Sequence, residues 1–364
     1  MQGIVGQEGA TDFLRRAIAT DRLAHAYIFA GPPGVGKMTT ARAFARALLC
    51  ERADGEPCGE CRACAKVDHE THPDLYVIGP QGRGRMIPVA VFRDPDTGEG
   101  LLHDLSLTPV ESARKVALID QAHAMTTATA NCLLKTLEEP PPGALLILVT
   151  PRPDDLLETI RSRCHRVRFN ALRPGILEEQ LLRRGVEPGQ ARFLSLSSGG
   201  SLGRAIMMAE QEGLADLRRR VLELVLALSG RNICSSSARF VELVKQHAPE
   251  LASGQPGMTA QSAARDTAEW LLDLVALFYR DVAVRQLGVE AELLSNTDVL
   301  EQIDRETRLS DTDIRTILDT IETAKERLRS NVTLDVAILE CVSQIAEARA
   351  RPAASSTGTS RSAR

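Results

Sequence analysis

The sequence predicts an α/β domain built on a five-stranded parallel sheet, followed by an all-helical C-terminal part. Three observations carry this expectation. Short apolar runs at residues 26–30, 75–78, 116–119, 145–149 and 167–169 are separated by stretches of helical periodicity, the pattern of strands buried on both faces. A glycine-rich loop lies between the first run and the helix after it, at residues 39–49. Beyond about residue 170 the strand-like runs stop and amphipathic helical patterns take over.

Taken in order, the loop comes first. Gly31-Pro32-Pro33-Gly34-Val35-Gly36-Lys37-Met38 matches G-x-x-x-x-G-K-[ST] at every position but the last. In such a loop Gly31, Gly34 and Gly36 let backbone N–H groups curl around phosphate oxygens. Lys37 would reach the β- and γ-phosphates, and the final hydroxyl normally holds Mg²⁺. A thioether is a poor ligand for a hard cation, so Met38 disfavours Mg²⁺ while leaving room for ATP or ADP. Thr39, one residue on, is the nearest hydroxyl that could substitute.

The next feature is Cys50, Cys58, Cys61 and Cys64, spaced C-x7-C-x2-C-x2-C. Four thiolates satisfy tetrahedral Zn²⁺, and a closed four-sulfur site is structural because it leaves no position for a substrate water. His69 and His72 are surplus to such a site and read as ordinary polar residues. Cys132, Cys164, Cys234 and Cys341 lack ligand spacing and read as buried small hydrophobes. Residues 79–107, interrupted by Gly, Arg and Pro, read as a surface loop. The strand at 116–119 then ends in Asp120, a carboxylate placed to hold Mg²⁺ through its water shell. ATP-cleaving sites of this kind follow that Asp with Glu, whereas Gln121, an amide, cannot act as a general base. Two positions of one reaction, Met38 and Gln121, thus lack the chemistry that hydrolysis requires. Ser162-Arg163-Cys164 precedes the fifth strand; by itself the tripeptide is uninformative and Arg163 a surface charge. Farther on, Trp270, Leu271, Leu274, Phe278 and Val282 form an apolar stripe at helical spacing, the mark of a helical core. A loop is expected at residues 254–257.

Composition narrows the function classes. The chain has 364 residues, enough for two or three domains with cores of their own. Its 43% hydrophobic and 25% charged residues are those of a soluble globular protein. Aromatics at 3% argue against a base-stacking platform, and a net charge of -4 argues against a chain that coats DNA by itself. With no signal peptide and no apolar run of about 18 residues, the cytoplasm is the expected location and no membrane is involved. There clustered cysteines suggest a metal before a disulfide.

The order of these motifs, together with Asn131-Cys132-Leu133-Leu134-Lys135-Thr136-Leu137-Glu138-Glu139-Pro140-Pro141 between Asp120 and Arg163, resembles the bacterial clamp-loader AAA+ subunits of DNA polymerase III. The resemblance covers residues 1 to about 210 by motif and the remainder by architecture. Within that family, Met38 and Gln121 resemble the delta-prime class, whose nucleotide site is degenerate while its S-R-C arginine is kept. The resemblance implies an AAA+ core at residues 1–170 with a zinc module at 50–64. It further implies a helical lid at 171–210 and an α-helical collar for oligomerisation at 211–350, while the Pro, Ala, Ser, Thr, Gly and Arg of the end predict a disordered tail at 351–364. It implies gamma/tau and delta as partner subunits, and the β sliding clamp and primer-template DNA reached through the complex. Arg163 would complete the ATP site of an adjacent gamma/tau subunit as an arginine finger in trans. Thr150 would occupy the sensor-1 position and Arg204 would lie near sensor 2. Two other readings stand beside this one. One is a gamma/tau-type ATPase motor that uses Thr39 as a displaced Mg²⁺ ligand. The other is a zinc-dependent DNA-binding module, disfavoured by the acidic net charge and by a C-x2-C-x2-C run with only Arg62 and Lys66 in or just after it.

Overall fold

The computed structural model describes residues 3–52, 56–81, 86–93, 98–210, 213–252, 260–291, 294–330 and 332–351. The chain divides into two compact units, residues 1–184 with 198–206 and residues 185–197 with 207–364. The expected loop at 254–257 and the expected disordered tail, apart from Arg351, lie outside the described residues.

The first unit is built on strands β1 (Ala26–Ala30), β2 (Leu75–Ile78), β3 (Lys115–Ile119), β4 (Ala144–Thr150) and β5 (His165–Arg168), in the order β2-β3-β4-β1-β5. All neighbours are parallel, as the sequence pattern predicts. Strands β1, β3 and β4 are buried along their whole length because each of their faces is covered. On one face Ile28, Ile119, Leu146 and Leu148 pack with Leu133 and Leu137 of α6 (Thr127–Glu138). On the other, Tyr27, Phe29, Leu118 and Ile147 pack with Leu14 of α1 (Glu8–Ala19) and Phe44 of α2 (Lys37–Leu49). Strand β5 begins at His165 rather than at 167. It is an edge strand with Val167 as its one buried residue, so it carries no continuous apolar run to mark its start. Helix α6 is capped by Thr126, whose side chain accepts from the Thr129 N–H at 3.1 Å, and it ends before Pro140-Pro141.

The expectation of a surface loop at 79–107 is corrected. Helices α4 (Val89–Phe92) and α5 (Leu101–Ser106) lie there, following α3 (Arg62–Asp68) and β2 in the chain. Ile87, Phe92, Leu101 and Leu105 are buried in the same cluster as β3 and β4. These few anchors are separated by Gly, Pro and charged residues, so no periodic signal announces them. The unit is completed by the short α7 (Glu158–Arg161), by α8 (Pro174–Arg183), and by the first turn of α10, which follows α9 (Pro188–Ser197) in the chain and spans Leu202–Glu210.

The second unit has no strand among the described residues. It contains α9, α11 (Leu214–Leu226), α12 (Ile233–Ala252), α13 (Ala260–Gln286), α14 (Leu300–Glu306), α15 (Asp311–Arg329) and α16 (Leu334–Ala350). The expected stripe Trp270, Leu271, Leu274, Phe278 and Val282 is buried along α13. Ser310 and Asp313 form a capping box at the start of α15. Cys341 is buried as expected, Cys132 and Cys164 are half-buried, and Cys234, on the outer side of the first turn of α12, is exposed. No helix among the described residues is long and apolar enough to cross a membrane.

Candidate functional site

Parallel strands leave their carboxyl ends along one edge of the sheet, and the loops after them converge there. Register puts Ala30 beside Thr150 and Ile119 beside Leu148. The glycine-rich loop after β1, Asp120 after β3 and Thr150 at the end of β4 therefore share the same edge.

The loop closes on itself and on a neighbouring segment. Lys37 is almost completely buried, and its Nζ donates to the carbonyls of Gly31 at 2.7 Å and Pro32 at 2.5 Å. Burial pulls the Lys37 pKa down to about 8, against the nearby Asp120 charge, which works to raise it. Gly36, at φ 96°, is the N-cap of α2, a conformation that favours glycine. Gly34 has φ +67°, and a Cβ there would lie 2.1 Å from Ser201 Oγ. Its carbonyl accepts the Gly203 N–H at 3.1 Å. The start of α10 thus sits directly on the loop, and within it the Arg204 N–H donates to Ser201 Oγ at 3.1 Å.

The hydroxyl chemistry after Lys37 is sparse. Met38 is half-buried against the apolar cluster that contains Phe29 and Phe44. Thr39 is exposed, and the Thr40 hydroxyl donates to the Gly36 carbonyl at 2.8 Å. Asp120 Oδ1 accepts the N–H of Gln121 at 2.9 Å, and Gln121 itself has φ 49°, a left-handed conformation uncommon for a non-glycine residue. Thr150 is buried; its Oγ1 accepts the Arg152 N–H at 3.1 Å and lies 3.3 Å from His123 Nδ1.

Arg163 is not part of this group. Tyr27 pairs with His165 and Ala30 with Arg168, so Arg163 stands at the amino end of the sheet while the glycine-rich loop stands at the carboxyl end. Five strand residues separate the two levels, about 16 Å at 3.3 Å per residue. Its Nη2 pairs with Glu138 Oε1 at 2.8 Å, and its Nη1 donates to the Thr159 carbonyl at 2.9 Å. Sequence reasoning missed Glu138; the one available sign was its place in the Leu133–Pro141 run.

The four cysteines come together at the far end of α2. Cys50 Sγ is 3.6 Å from Cys58 Sγ and 3.9 Å from Cys61 Sγ, and Cys58 Sγ is 3.9 Å from Cys64 Sγ. All four sulfurs lie within 4.8 Å of one another and could hold a metal ion. A tetrahedron with metal–sulfur bonds of about 2.3 Å has edges of about 3.8 Å, so the set fits zinc. Backbone N–H groups already point at sulfur. Cys58 donates to Cys50 Sγ at 3.5 Å, Cys61 to Cys58 Sγ at 3.4 Å and Cys64 to Cys61 Sγ at 3.4 Å. The hydrogen bonds from Glu60 and Cys61 pull the Cys58 thiol down to about 6, while burial pushes the Cys64 thiol up. His69 is exposed and His72 is buried in a separate cluster, so neither histidine is a fifth ligand.

Residues 6–173 match the family described as DNA polymerase III, delta subunit. The chain is 32% identical over 323 residues to DNA polymerase III subunit delta' of Bacillus subtilis, covering 88% of this chain and 90% of that one. It is 37% identical over 219 residues to subunit delta' of Pseudomonas aeruginosa, covering 58% of this chain and 64% of that one. It is also 32% identical over 219 residues to subunit tau of Bacillus subtilis, covering 58% of this chain and 37% of that one.

Proposed function

Because this chain belongs to the delta-prime family of DNA polymerase III subunits, we propose that it serves the clamp loader by completing a neighbour's ATP site while hydrolysing little ATP at its own. The observation that carries this reading is the separation of Arg163 from the chain's own glycine-rich loop, at opposite ends of the sheet. A guanidinium so placed cannot reach phosphates held at Gly31–Lys37, but it can reach across an interface. There it would stabilise charge building on a transferring phosphoryl group.

The chain's own site supports the other half of the reading. Met38 packs on the apolar cluster beside the sheet and stands in the sequence where a hydroxyl would hold Mg²⁺, and Gln121 stands where a general base is needed. Gly31, Gly34, Gly36 and Lys37 would still cradle a nucleotide, with Asp120, Thr150 and Arg204 around it. In this reading residues 171–210 act as lid and 211–350 as collar. Gamma/tau and delta are the partner subunits, and the β clamp and primed DNA are met through the assembled complex. Zinc held by Cys50, Cys58, Cys61 and Cys64 would cross-link the loop between α2 and α3, with no open position for catalysis.

The test is hydrolysis by the chain alone and by the complex reconstituted with gamma/tau and delta. The isolated chain should show almost none. In the complex, Arg163→Ala should slow single-turnover hydrolysis at the site it faces by roughly 10³-fold or more without preventing assembly. Robust hydrolysis by the isolated chain, or normal turnover with Arg163→Ala, would overturn the proposal.

A further inference from the structure

We propose that Glu138 is the positioning residue for Arg163, holding the guanidinium aimed outward before a partner's nucleotide arrives. This rests on the reading of Arg163 as a group given to a neighbour.

Glu138 is the last residue of α6, and Glu139 follows it. The carboxyl end of a helix carries partial negative charge and favours cations, so an acidic pair there is locally unfavourable. Its partner explains its presence. Arg163 is the one ion-pair partner of Glu138 among the described residues, with Nη2 to Oε1 at 2.8 Å. The other side of the guanidinium is held by the Thr159 carbonyl of α7, with Ser162 Oγ at 3.4 Å from Nη1. The fork is therefore fixed between the end of α6 and α7, two elements that sit on the sheet through Leu137 and Ile160.

The hold is firm in direction and weak in strength. The Arg163 side chain keeps 35% of its accessible surface and Glu138 keeps 52%, and pairs this exposed bind weakly. A planar guanidinium has five N–H donors, so donors remain for an incoming phosphate while two hold the geometry. A free arginine samples many rotamers, and orienting it in advance removes that entropy from the catalytic step. A polyphosphate can also draw Nη2 away from a single half-exposed carboxylate.

The experiment is single-turnover ATP hydrolysis by the full complex carrying Glu138→Ala, Glu138→Gln, Arg163→Ala or the Glu138→Ala/Arg163→Ala pair, at several ATP concentrations. Glu138→Ala should lower the maximal rate at the partner's site roughly 3- to 10-fold, a partial loss of orientation, with the ATP concentration for half-maximal rate unchanged. Glu138→Gln keeps an oxygen for Nη2 and should restore most of the rate. The double variant should be no slower than Arg163→Ala alone. Gel filtration shows that equal amounts of complex are compared, and both residues are surface-exposed enough to change without unfolding the sheet. An unchanged rate in Glu138→Ala alongside a slow Arg163→Ala sinks the positioning role and leaves the arginine's role standing. A faster Glu138→Ala would mean that Glu138 sequesters the arginine instead. Normal rates in both single variants would remove the role of Arg163 itself.

Discussion

At the scale of single residues, Asp74 is a carboxylate held entirely by the backbone around it. It is fully buried and accepts the N–H groups of Val110 at 2.7 Å, Glu111 at 2.8 Å and Ser112 at 2.9 Å. Its own N–H donates to His72 Nδ1 at 3.1 Å, and His72 Nε2 lies 3.3 Å from Ser112 Oγ. Burial alone would raise the Asp74 pKa and lower that of His72. For Asp74 the three N–H donors outweigh burial and hold the carboxyl below its usual range, whereas for His72 burial prevails. A depressed carboxyl pKa stabilises the fold fully above the unfolded value of about 3.9, and that contribution is lost as pH falls through the folded value. Asp74→Asn should therefore cost about 1–3 kcal/mol at neutral pH, and the gap to the unaltered chain should narrow in acid. Urea unfolding at pH 7 and at pH 3 checks both parts; a gap of equal size at the two values would contradict the linkage. Nothing in the sequence announces this cluster. Asp74 and Ser112 are 38 positions apart, and only the pairing of β2 with β3 brings them together.

At the scale of elements, α2 joins two centres of different chemistry. Its amino end carries the glycine-rich loop and its carboxyl end leads into Cys50, about 20 Å away along 13 residues. Cys61 caps α3, its Sγ accepting from the Cys64 N–H, so the cysteine cluster and the first turn of α3 are one construction. With the zinc proposed above, chelation should loosen α3 and make the four thiols reactive. The sheet, with its own apolar clusters on both faces, should keep most of its stability. Thiol titration combined with hydrogen exchange checks this; loss of protection in β1, β3 and β4 on chelation would count against it. The cysteine spacing and the three central strands were legible because their signals are local: ligand spacing in one case, unbroken apolar runs in the other. The edge strand β5 was legible only in part, since His165, Arg166 and Arg168 occupy three of its four positions. Helices α4 and α5 were not legible, because four buried anchors spread over 19 residues form no period.

At the scale of the whole molecule, each unit rests on its own core, and the helical unit contains a buried ion pair that the sheet unit lacks among the described residues. Arg349 of α16 pairs with Glu306 of α14 at 2.8 Å, with side chains 7% and 4% exposed. Its Nη1 also donates to the carbonyls of Val225 at 2.6 Å and Leu228 at 3.3 Å, so one guanidinium ties three helical segments together. Removing Arg349 leaves the buried Glu306 carboxylate with only the exposed Arg308, at 4.0 Å. Arg349→Ala should cost about 3–5 kcal/mol, and replacing both members by apolar residues should cost much less. Trp270, the only tryptophan, is buried in α13 of the same unit, and its fluorescence reports the transition. Equal destabilisation by the single and the double replacement would show that the penalty is not one of unpaired charge.

The sequence by itself determined the parallel sheet, the helical second half, the four-cysteine set, and the two residues, Met38 and Gln121, that depart from the G-x-x-x-x-G-K-[ST] and Asp-Glu patterns. Each of these is written in neighbouring residues or in a short repeat. Tertiary structure alone decided that Arg163 stands at the opposite end of the sheet from Lys37, that Glu138 holds it, and that Ser201 and Gly203 press on Gly34. These contacts join residues 25 to 169 positions apart. Strand order and the packing of helices on the sheet, rather than any local preference, determine which such residues meet.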